Sequence, residues 1–496
     1  MVTLGDLPID SLLPEICATL ETRNRLVLAA PPGAGKTTRV PLALAGLIGG
    51  AAGIEGRILV LEPRRLAARM AADRMASTLG ERTGGRIGLS TRIERRVSSE
   101  TVVEVITDGL FTRRLLADPG LDGVGAVLFD EVHERGLNTD LGIALALDSQ
   151  SALREDLKLV VMSATLDTAL MSRVLDAPVI ESEGRQYPVD TRYLGRTRDR
   201  VEDQMASAIK RALREEDGSI LAFLPGAGEI RRTAERLGQL PDNTSVHPLF
   251  GALSPAEQDA AVSPTEAGRR KIVLATDIAE SSLTIEGVRI VIDSGMARVP
   301  EYDPAGGTAR LITVRAARAN VDQRRGRAGR MGPGVCYRLW DEAETLGLRA
   351  SPTPEILNSD LSGLLLALAE WGEQDPDRLT WLDNPPAGRI AAARMALLEF
   401  GALQADGRLT ERGKAMAKLP MAPRLASLIV SARNPGERAL AANIAALVSE
   451  AGMGGASSDL SDRLAKFQAD RGPRAKALQR QARQWGGDAT PKGHPG

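Results

Sequence analysis

The sequence is poor in the residues that would indicate several common kinds of protein. Its 496 residues include only 2 cysteines and 3 histidines, and aromatic residues make up 3% of the chain. Cys17 and Cys336 lie far apart and no CxxC occurs, so the sequence supports neither a disulfide framework nor a zinc cluster. Because aromatic residues are scarce, we expect cores built from leucine, valine, isoleucine and alanine.

Long apolar stretches and a large excess of one charge are also missing. No stretch reaches the length of a membrane span, and the start, MVTLGDLPID, has neither the basic nor the apolar region of a signal peptide. We therefore expect a protein of the reducing cytoplasm that has no membrane partner. The formal net charge of -1 argues against a globally basic nucleic-acid coat but leaves room for a local basic groove.

Apolar runs rich in valine and leucine, which suit strands buried on both faces of a parallel sheet, occur in two groups. The first group comprises residues 25–30, 57–63, 126–131 and 158–165. The second group comprises residues 219–226, 271–277, 289–295 and 335–340. The segment 187–195 between the groups looks like a connector. Since helical patterns separate the runs, the sequence predicts two α/β domains in tandem.

The chain changes character after about residue 350, where strand patterns fade. Residues 359–372 and 388–403 predict amphipathic helices, and residues 406–420 resemble the wing and helix of a small winged-helix domain. The basic stretch 463–483 predicts a helix whose charged face is either solvated or follows RNA. The Gly/Pro-rich end, 484–496, predicts a disordered tail.

The stretch APPGAGKTTR, residues 30–39, predicts a phosphate-binding turn between a strand and a helix. Amides of such a turn surround a phosphate, and the helix N-terminus adds positive potential. Lys36 would reach the β- and γ-phosphates, and the hydroxyl of Thr37 would bind Mg²⁺. The usual pattern begins with glycine where this chain has Ala30, and a glycine-rich turn with an incidental lysine is the alternative. The residues expected to bind the nucleotide here are Gly33, Ala34, Gly35, Lys36, Thr37 and Thr38.

Two carboxylates follow an apolar strand in LFDEVHER, residues 128–135. The carboxyl end of a strand in a parallel sheet faces the ligand crevice. Asp130 would hold Mg²⁺ and its water there, and Glu131, a second candidate near the metal, would accept a proton from the attacking water. A solvated turn is the alternative, but such a turn does not need two adjacent carboxylates followed by a histidine.

The segment QRRGRAGR, residues 323–330, alternates arginines with small residues. Arginines spaced in this way can approach a triphosphate closely, and their planar donors suit phosphate oxygens. An exposed basic turn is the alternative, but it requires neither Gln323 nor the glycines. The sequence therefore predicts a phosphate-contacting group in the second α/β domain.

These three motifs stand in order with several others, and together they carry a family resemblance. The others are EPRRLAA (62–68), TDGLFTR (107–113), SAT (163–165), FLPG (223–226) and ATDIAESSLTI (275–285). Over residues 10–430 the chain resembles superfamily 2 helicases of the DEAH/RHA type, most closely their HrpB-type bacterial branch.

The resemblance implies an α/β fold of two tandem RecA-like P-loop domains, followed by a mostly α-helical winged-helix and helical-bundle region. The implied divisions are a first RecA-like domain at 1–188, a second at 189–345, a winged-helix region at 346–425, a helical region at 426–483 and a tail at 484–496. The resemblance also implies ATP and Mg²⁺ as cofactors and RNA as the partner.

Catalytic roles follow from the same resemblance. Asp130 and Glu131 would be the metal and general-base carboxylates. Gln323 would help to order the lytic water, and Arg327 and Arg330 would be arginine fingers that meet the γ-phosphate only when the two domains close.

Three further sets of residues are assigned by the resemblance. Arg74 would stack on the adenine. The residues expected to couple the ATP state to domain closure are His133, Ser163 and Thr165. The residues expected to contact the RNA backbone are Arg64, Arg65, Thr107 and Thr276. His133 has a plainer alternative as a hydrogen-bonded interface residue, and it is not expected to bind Mg²⁺, which prefers oxygen ligands.

The chain departs from the family pattern at several positions. The acidic motif is DEVH rather than DEAH, Asp277 stands where asparagine is common, and Ala30 replaces a glycine. None of these changes removes a catalytic group, so an active ATPase is expected. Residues 297–314 match the hairpin that separates strands. Relatives usually continue into an OB-fold, and since no strand pattern follows Ser461, the chain is expected to lack that extension.

The sequence thus predicts an ATP-dependent RNA helicase that couples hydrolysis to 3′→5′ translocation and to strand separation or ribonucleoprotein remodelling. Two alternatives stay open. One is a nucleotide-gated RNA-binding clamp that does not unwind processively. The other is a DNA helicase, because contacts to the nucleic-acid backbone dominate in this class.

Overall fold

A computed structural model describes residues 6–50, 52–164, 168–184, 187–280, 285–303, 308–450, 452–455 and 457–487. The chain divides into two compact units. The first unit contains two large β-sheets with their helices, and the second contains the helices from Ser362 onward.

The first sheet is built from residues 25–181 and has eight strands. Its strands are β1 (Arg25–Ala29), β2 (Arg57–Glu62), β3 (Ile87–Ser90), β4 (Arg95–Arg96), β5 (Val103–Thr107), β6 (Val124–Phe129), β7 (Lys158–Ser163) and β8 (Val179–Glu181). They follow the order β4-β3-β5-β2-β6-β7-β1-β8, and the β3–β4 pair is antiparallel whereas the other pairs are parallel. The helices of this domain are α1 (Leu13–Thr22), α2 (Lys36–Leu44), α3 (Arg65–Thr78), α4 (Asp108–Ala117), α5 (Leu137–Ala152) and α6 (Thr168–Leu175).

The central strands of this sheet bring their carboxyl ends to one edge. Side chains along β6 are buried throughout, as the apolar run predicted. Polar residues begin where the strands end: Glu62 lies opposite Thr107 in the register of β2 and β5, and Asp130 follows β6 directly. Because parallel strands end together, the polar groups of several motifs meet at this edge.

The second sheet is built from residues 189–338 and has six strands, all parallel. Its strands are β9 (Val189–Tyr193), β10 (Ser219–Phe223), β11 (Thr244–Leu249), β12 (Arg270–Ala275), β13 (Val288–Asp293) and β16 (Gly334–Arg338). They follow the order β11-β12-β10-β13-β16-β9. The remaining elements are a hairpin, β14 (Met296–Asp303) and β15 (Thr308–Arg315), and helices α7 (Val201–Glu215), α8 (Ala227–Leu237), α9 (Pro255–Val262) and α10 (Arg318–Gly326).

The segment 187–195 corrects the sequence interpretation, because it is not a plain connector. It contains β9, an edge strand that pairs in parallel with β16. A strand at the edge is covered less completely than a central one, so polar residues alternate along it and no apolar run marks it. The residues before it are anchored as well, since the amide of Tyr187 donates to the carbonyl of Gly329 at 3.0 Å.

The predicted hairpin at 297–314 is present as β14 and β15, which form a two-stranded sheet of their own. Its turn, residues 304–307, lies outside the described residues, as do Thr165 and residues 281–284 of the motif ATDIAESSLTI. The strands of the hairpin follow β13 directly in the chain.

The second unit is helical. Its helices are α12 (Ser362–Trp371), α13 (Ala387–Glu399), α14 (Glu411–Ala417), α15 (Pro423–Val430), α16 (Pro435–Ser449), α17 (Leu460–Ala469) and α18 (Pro473–Gly486), and a four-residue helix, α11 (Glu355–Asn358), precedes them in the first unit. Helix α13 ends four residues before the predicted limit at 403, because Gly401 takes a left-handed conformation with φ +66°.

The predicted wing and the predicted tail can also be located. Leu403 and Leu409 form an antiparallel bridge between α13 and α14, where the wing was expected. Side chains of α16, α17 and α18 share one apolar core that includes Phe467 and Trp485. Helix α18 continues through Gly486 and so includes the first residues of the predicted tail, whereas residues 488–496 lie outside the described residues.

Candidate nucleotide site

The turn between β1 and α2 has the backbone geometry of an anion cradle. Gly33 and Gly35 have φ values of +87° and +99°, a region that favours glycine. A side-chain carbon on Gly35 would also lie 2.8 Å from the Leu7 side chain, so space as well as conformation requires glycine there. Because α2 begins at Lys36, the positive end of the helix lies at the turn where the phosphate is predicted.

Other residues of the turn hold its shape. The carbonyl of Ala34 accepts the amide of Ile9 at 3.1 Å, and the amide of Thr38 donates to the carbonyl of Gly35 at 3.1 Å. Ala30, which replaces the usual glycine, is buried in the core of the first domain, and its amide donates to the carbonyl of Ser163 at 3.0 Å. The extra methyl group therefore packs in the core beneath the turn.

The predicted lysine and carboxylates meet in a buried cluster. The Nζ atom of Lys36 lies 3.4 Å from Oε1 of Glu131 and 3.6 Å from Oδ1 of Asp130. The hydroxyl of Thr37 donates to Oδ2 of Asp130. Burial alone would lower the pKa of Lys36, but the surrounding carboxylates raise it, so the ammonium stays charged. The sequence motifs of the first domain therefore form one site.

Glu131 combines an unusual backbone with a strongly ionised side chain. Its φ of +53° and ψ of 33° place a non-glycine residue in the left-handed region, a conformation that is strained and is found at functional sites. Burial favours the neutral carboxyl group, but Lys36, His133 and Arg327 outweigh this effect and lower its pKa to about 2. The carboxylate is therefore ionised throughout the neutral pH range and can accept hydrogen bonds.

His133 connects this cluster to the second α/β domain. Its Nδ1 atom accepts the amide of Ala164 at 3.3 Å. Its Nε2 atom lies 3.3 Å from Oε2 of Glu131 and 2.8 Å from Nε2 of Gln323. The ring contacts Glu131, the SAT segment and the second domain at once, which agrees with the coupling interpretation, and the role stays a prediction.

Arg327 and Arg330 bring positive charge to the same place from the second domain. Nε of Arg327 donates to the carbonyl of Glu280 at 3.0 Å, and a side-chain carbon on Gly33 would lie 4.0 Å from Cδ and Nε of Arg330. Burial and the neighbouring Arg330 lower the pKa of Arg327 well below its ordinary value, against the attraction of Glu131. Burial lowers the pKa of Arg330 to about 10. Both guanidinium groups therefore lie near Glu131 and the glycine-rich turn.

Two buried carboxylates near the site were not singled out by sequence. Glu62, at the end of β2, is fully buried, and burial together with Asp130 and Glu131 raises its pKa well above the ordinary value. Burial also raises the pKa of Asp108 to about 7, although a hydrogen bond from Thr139 opposes the shift. A charged residue that ends an otherwise apolar strand was the available signal for Glu62.

The residues expected to contact RNA lie at the carboxyl edges of both sheets. Arg64 and Arg65 follow β2, Thr107 ends β5 and Thr276 follows β12. Arg64 is bound to protein carboxylates, since its guanidinium lies 3.1 Å from Glu134 and 3.4 Å from Asp277. The placement agrees with a shared surface, and the roles stay predictions.

The remaining predicted residues are less closely connected to the cluster. Ser163 ends β7 and is buried beside the glycine-rich turn, whereas Thr165 lies outside the described residues. Arg74 lies on an exposed part of α3, and its guanidinium has no protein partner among the residues that the structure describes. An exposed arginine is available for stacking on a base.

The oxygen groups fit a magnesium site. Thr37 and Asp130 present a hydroxyl and a carboxylate that are already joined by a hydrogen bond. Within the described ranges, no cluster of three His, Cys, Asp or Glu residues could hold a metal by itself. Mg²⁺ in nucleotide sites usually keeps waters and phosphate oxygens and takes only one or two protein ligands, so these two groups suffice.

Comparisons with known families agree with this geometry. The profile for DEAD/DEAH box helicases matches residues 13–172, and that of the helicase conserved C-terminal domain matches residues 203–332. The profile of the winged-helix helicase-associated domain (HA2) matches residues 397–421. The chain belongs to the DEAD/DEAH box helicases. The DEAH/RHA resemblance and the two RecA-like domains predicted from sequence are thereby confirmed.

Several curated helicases resemble the chain. It is 47% identical to the ATP-dependent RNA helicase HrpB of Escherichia coli (strain K12) over 450 residues, which cover 90% of this chain and 55% of that protein. It is 35% identical to the ATP-dependent RNA helicase HrpA of the same organism, covering 87% of this chain and 34% of HrpA. It is 34% identical to the probable ATP-dependent RNA helicase DHR2 of Saccharomyces cerevisiae, covering 87% of this chain and 60% of DHR2.

A solved structure shares this helicase fold. The crystal structure of the Escherichia coli DEAH/RHA helicase HrpB matches with a TM-score of 0.90 and 45% identity, and the match covers 97% of this chain and 60% of that one. The chain thus spans about three fifths of that structure and about half of the length of HrpB. In the part of the chain that the structure describes, no helix is long and apolar enough to cross a membrane. The cytoplasmic location stays a prediction.

Proposed function

We propose that this chain is the ATP-hydrolysing motor of an RNA helicase. The observation that carries the proposal is the meeting of two motifs from different domains in one buried site. Lys36 and Glu131 come from the first domain, whereas Gln323, Arg327 and Arg330 come from the second, and Gln323 contacts His133 directly. A site that is divided between two domains allows hydrolysis to be linked to their relative movement.

ATP would bind at the glycine-rich turn with its β- and γ-phosphates against the start of α2. Backbone amides of the turn and of the start of α2 would surround the phosphates, and Lys36 would exchange part of its attraction to Asp130 and Glu131 for the phosphate oxygens. Thr37 and Asp130 would hold Mg²⁺, which neutralises charge on the phosphates. Arg74 would stack on the adenine from α3.

Hydrolysis needs a base, a positioned water and stabilisation of the developing charge. Glu131 is ionised and would accept the proton of the attacking water. Gln323 would orient that water, and its contact with His133 ties its position to that of Glu131. Arg327 and Arg330, which lie near Glu131 and the glycine-rich turn, would stabilise the γ-phosphate in the transition state.

RNA is proposed as the substrate because the curated proteins that the chain resembles are named RNA helicases. Arg64, Arg65, Thr107 and Thr276 would grip its backbone at the carboxyl edges of the two sheets. Domain closure on ATP and opening after hydrolysis would shift this grip, with 3′→5′ translocation and strand separation or ribonucleoprotein remodelling as the outcome. The domain divisions at 188, 345, 425 and 483 belong to the same proposal.

The test compares ATP turnover with strand displacement on matched RNA and DNA duplexes that carry a 3′ or a 5′ overhang. We expect ATP-dependent displacement of the RNA duplex with the 3′ overhang. Hydrolysis and RNA binding without displacement would support the clamp, and preferential displacement of DNA would support the DNA helicase. Glu131→Gln serves as the control, since it should bind ATP and RNA but displace neither duplex.

A further inference from the structure

A second contact joins the two α/β domains at the edge where RNA is proposed to bind. Nη2 of Arg64, just after β2, lies 3.4 Å from Oδ2 of Asp277, just after β12. The same guanidinium is held by Glu134 of its own domain, at 3.2 Å from Nε and 3.1 Å from Nη2. The guanidinium of Arg64 therefore contacts one carboxylate from each domain.

Both carboxylates belong to short 3₁₀ helices near the nucleotide site. Glu134 ends the helix Val132–Glu134, which follows Glu131 and contains His133. Asp277 begins the helix Asp277–Ala279, and Glu280 caps its other end. An ion pair between these two helices can therefore influence the relative position of the catalytic groups.

Glu280 extends the connection to the arginine fingers. Its carbonyl accepts Nε of Arg327 at 3.0 Å, and its carboxylate accepts Nε of Arg324 at 2.9 Å. Arg324 is buried and also donates to Asp293 at 3.0 Å, so this part of the second domain is firmly fixed. The position of Asp277 is thus tied to that of Arg327 through one helical turn.

The Arg64–Asp277 pair differs from Arg64–Glu134 in its exposure. The side chain of Asp277 is 49% exposed, and that of Arg64 is 26% exposed. A carboxylate on the surface can be displaced from an arginine by another anion, and a phosphate makes charge-assisted hydrogen bonds of the same kind. Asparagine at position 277 would keep the size of the side chain but would lose this charge.

We infer that Asp277 is a positioning residue that holds Arg64 across the domain cleft in the absence of RNA and competes with an RNA phosphate for the same guanidinium. The contact stabilises the closed arrangement in which Arg327 reaches the nucleotide, so it supports hydrolysis without RNA. When RNA is bound, its phosphate takes the place of Asp277. The second part of this inference rests on the proposed function, whereas the first part does not.

The experiment measures ATP turnover without RNA and at saturating single-stranded RNA, together with RNA affinity, for wild type and Asp277→Asn. We expect the substitution to lower kcat without RNA and to tighten RNA binding, each by about two- to fivefold, the range of an exposed ion pair. At saturating RNA, kcat should match that of the wild type. Effects of opposite sign on the two quantities are not expected from a general loss of packing, and thermal unfolding of the variant checks its fold.

Asp259 supplies the matched control. It also pairs across the cleft, with Nη2 of Arg69 at 2.7 Å, and its side chain is 56% exposed. Asp259→Asn removes a similar cross-domain charge that does not involve Arg64. It should lower kcat without RNA but should not tighten RNA binding beyond the small effect of one lost negative charge.

A double-mutant cycle of Arg64→Gln and Asp277→Asn completes the test. The two changes should be non-additive in kcat without RNA and additive at saturating RNA. Unchanged kcat without RNA in Asp277→Asn, or a weaker rather than tighter RNA complex, would overturn the inference. If wild type fails to bind RNA, the proposed function fails, and the RNA-free cycle still decides whether Asp277 positions Arg64.

Discussion

The two α/β domains contribute opposite halves of the site, and the halves differ in how their charges are balanced. In the first domain Lys36 lies between Asp130 and Glu131, so one positive charge faces two carboxylates. In the second domain burial lowers the pKa values of both Arg327 and Arg330. The lysine of the first half is therefore paired with carboxylates of its own domain, whereas the arginines of the second half are proposed to act on the γ-phosphate.

Arg324 shows that the lowered pKa is not shared by every arginine of the motif. It belongs to the same motif and is also buried, yet Asp293 and Glu280 raise its pKa. The motif thus contains one arginine that pairs with two carboxylates of its own domain and two that are proposed to contact the nucleotide. The difference can be tested by removing single charges from each half.

The largest effect is expected from Arg330→Ala, which should reduce ATP hydrolysis by roughly 10³-fold, the low end of arginine-finger effects. Nucleotide affinity should change much less, because Lys36 and the turn remain. Single-turnover hydrolysis and equilibrium binding of a fluorescent nucleotide measure the two quantities.

Arg325→Ala is the control for that variant. Arg325 lies in the same motif, but its Nε donates to Thr191 at 2.9 Å within the second domain. It should hydrolyse ATP within a few-fold of wild type. Equal losses in both variants would mean that the motif acts only through its fold.

Removal of the general base, Glu131, should reduce ATP hydrolysis somewhat less than Arg330→Ala does. Glu131→Gln keeps the size of the side chain but cannot accept the proton, so turnover should fall by about 10²-fold or more. Because the pKa of Glu131 is about 2, wild-type activity should show no acid limb from this group above pH 5. A wild-type rate for bound ATP in the Gln variant would remove Glu131 from the mechanism.

A smaller effect concerns the pH dependence of stability in the first domain. Asp108 has a folded-state pKa of about 7, above the ordinary value near 3.9, so its contribution to stability is present at low pH and is lost as pH rises through 7. Between pH 5.5 and 7 the stability lost through Asp108 amounts to about 2 kcal/mol, at 1.36 kcal/mol per pH unit.

Asp108→Asn should therefore raise the melting temperature relative to wild type more at pH 8 than at pH 5.5. Asp242→Asn, at an exposed turn, should show the same difference from wild type at both values. A parallel pH response in Asp108→Asn and wild type would show that Asp108 ionises normally.

The smallest effect on the rate of hydrolysis is expected when the adenine of ATP is replaced by another nucleobase. Phosphates and the stacking of Arg74 would carry the binding, and stacking tolerates every base. GTP, CTP and UTP should be hydrolysed at rates comparable with ATP, and Arg74→Ala should raise KM for all four by a similar factor. A strong preference for ATP in a side-by-side assay would reveal a group that reads the adenine.

The sequence predicted most of the central strands and the glycine-rich turn, because these features have local signals, whereas the roles of the motif residues stay predictions. The run 126–131 is apolar since β6 is buried on both faces, and the turn at 30–39 needs its glycines for their φ values. The edge strand β9 could not be predicted in this way because polar and apolar residues alternate along it. Strand β5 could not be predicted because Glu104 interrupts its apolar residues. That carboxylate is neutralised by Arg57 and Arg114 from elsewhere in the chain.

Contacts between the two α/β domains could not be predicted either, because they also depend on residues that are far apart in the sequence. The pairing of Arg64 with Asp277 joins residues that are 213 positions apart, and no periodic pattern encodes it. Asp277 was noted only as a departure from a family pattern. The balance of charge around Arg327 likewise depends on the three-dimensional meeting of two domains.

The anchoring of Tyr187 has a mechanical consequence for a motor of two domains. Strand β8 ends at Glu181 and β9 begins at Val189, so the chain passes from the first sheet to the second between these two residues. Within this stretch Tyr187 is bonded to Gly329, where an added side-chain carbon would lie 2.6 Å from the Tyr187 carbonyl. Gly329 directly precedes Arg330, so a displacement of the backbone at Tyr187 would also shift the segment that carries this arginine.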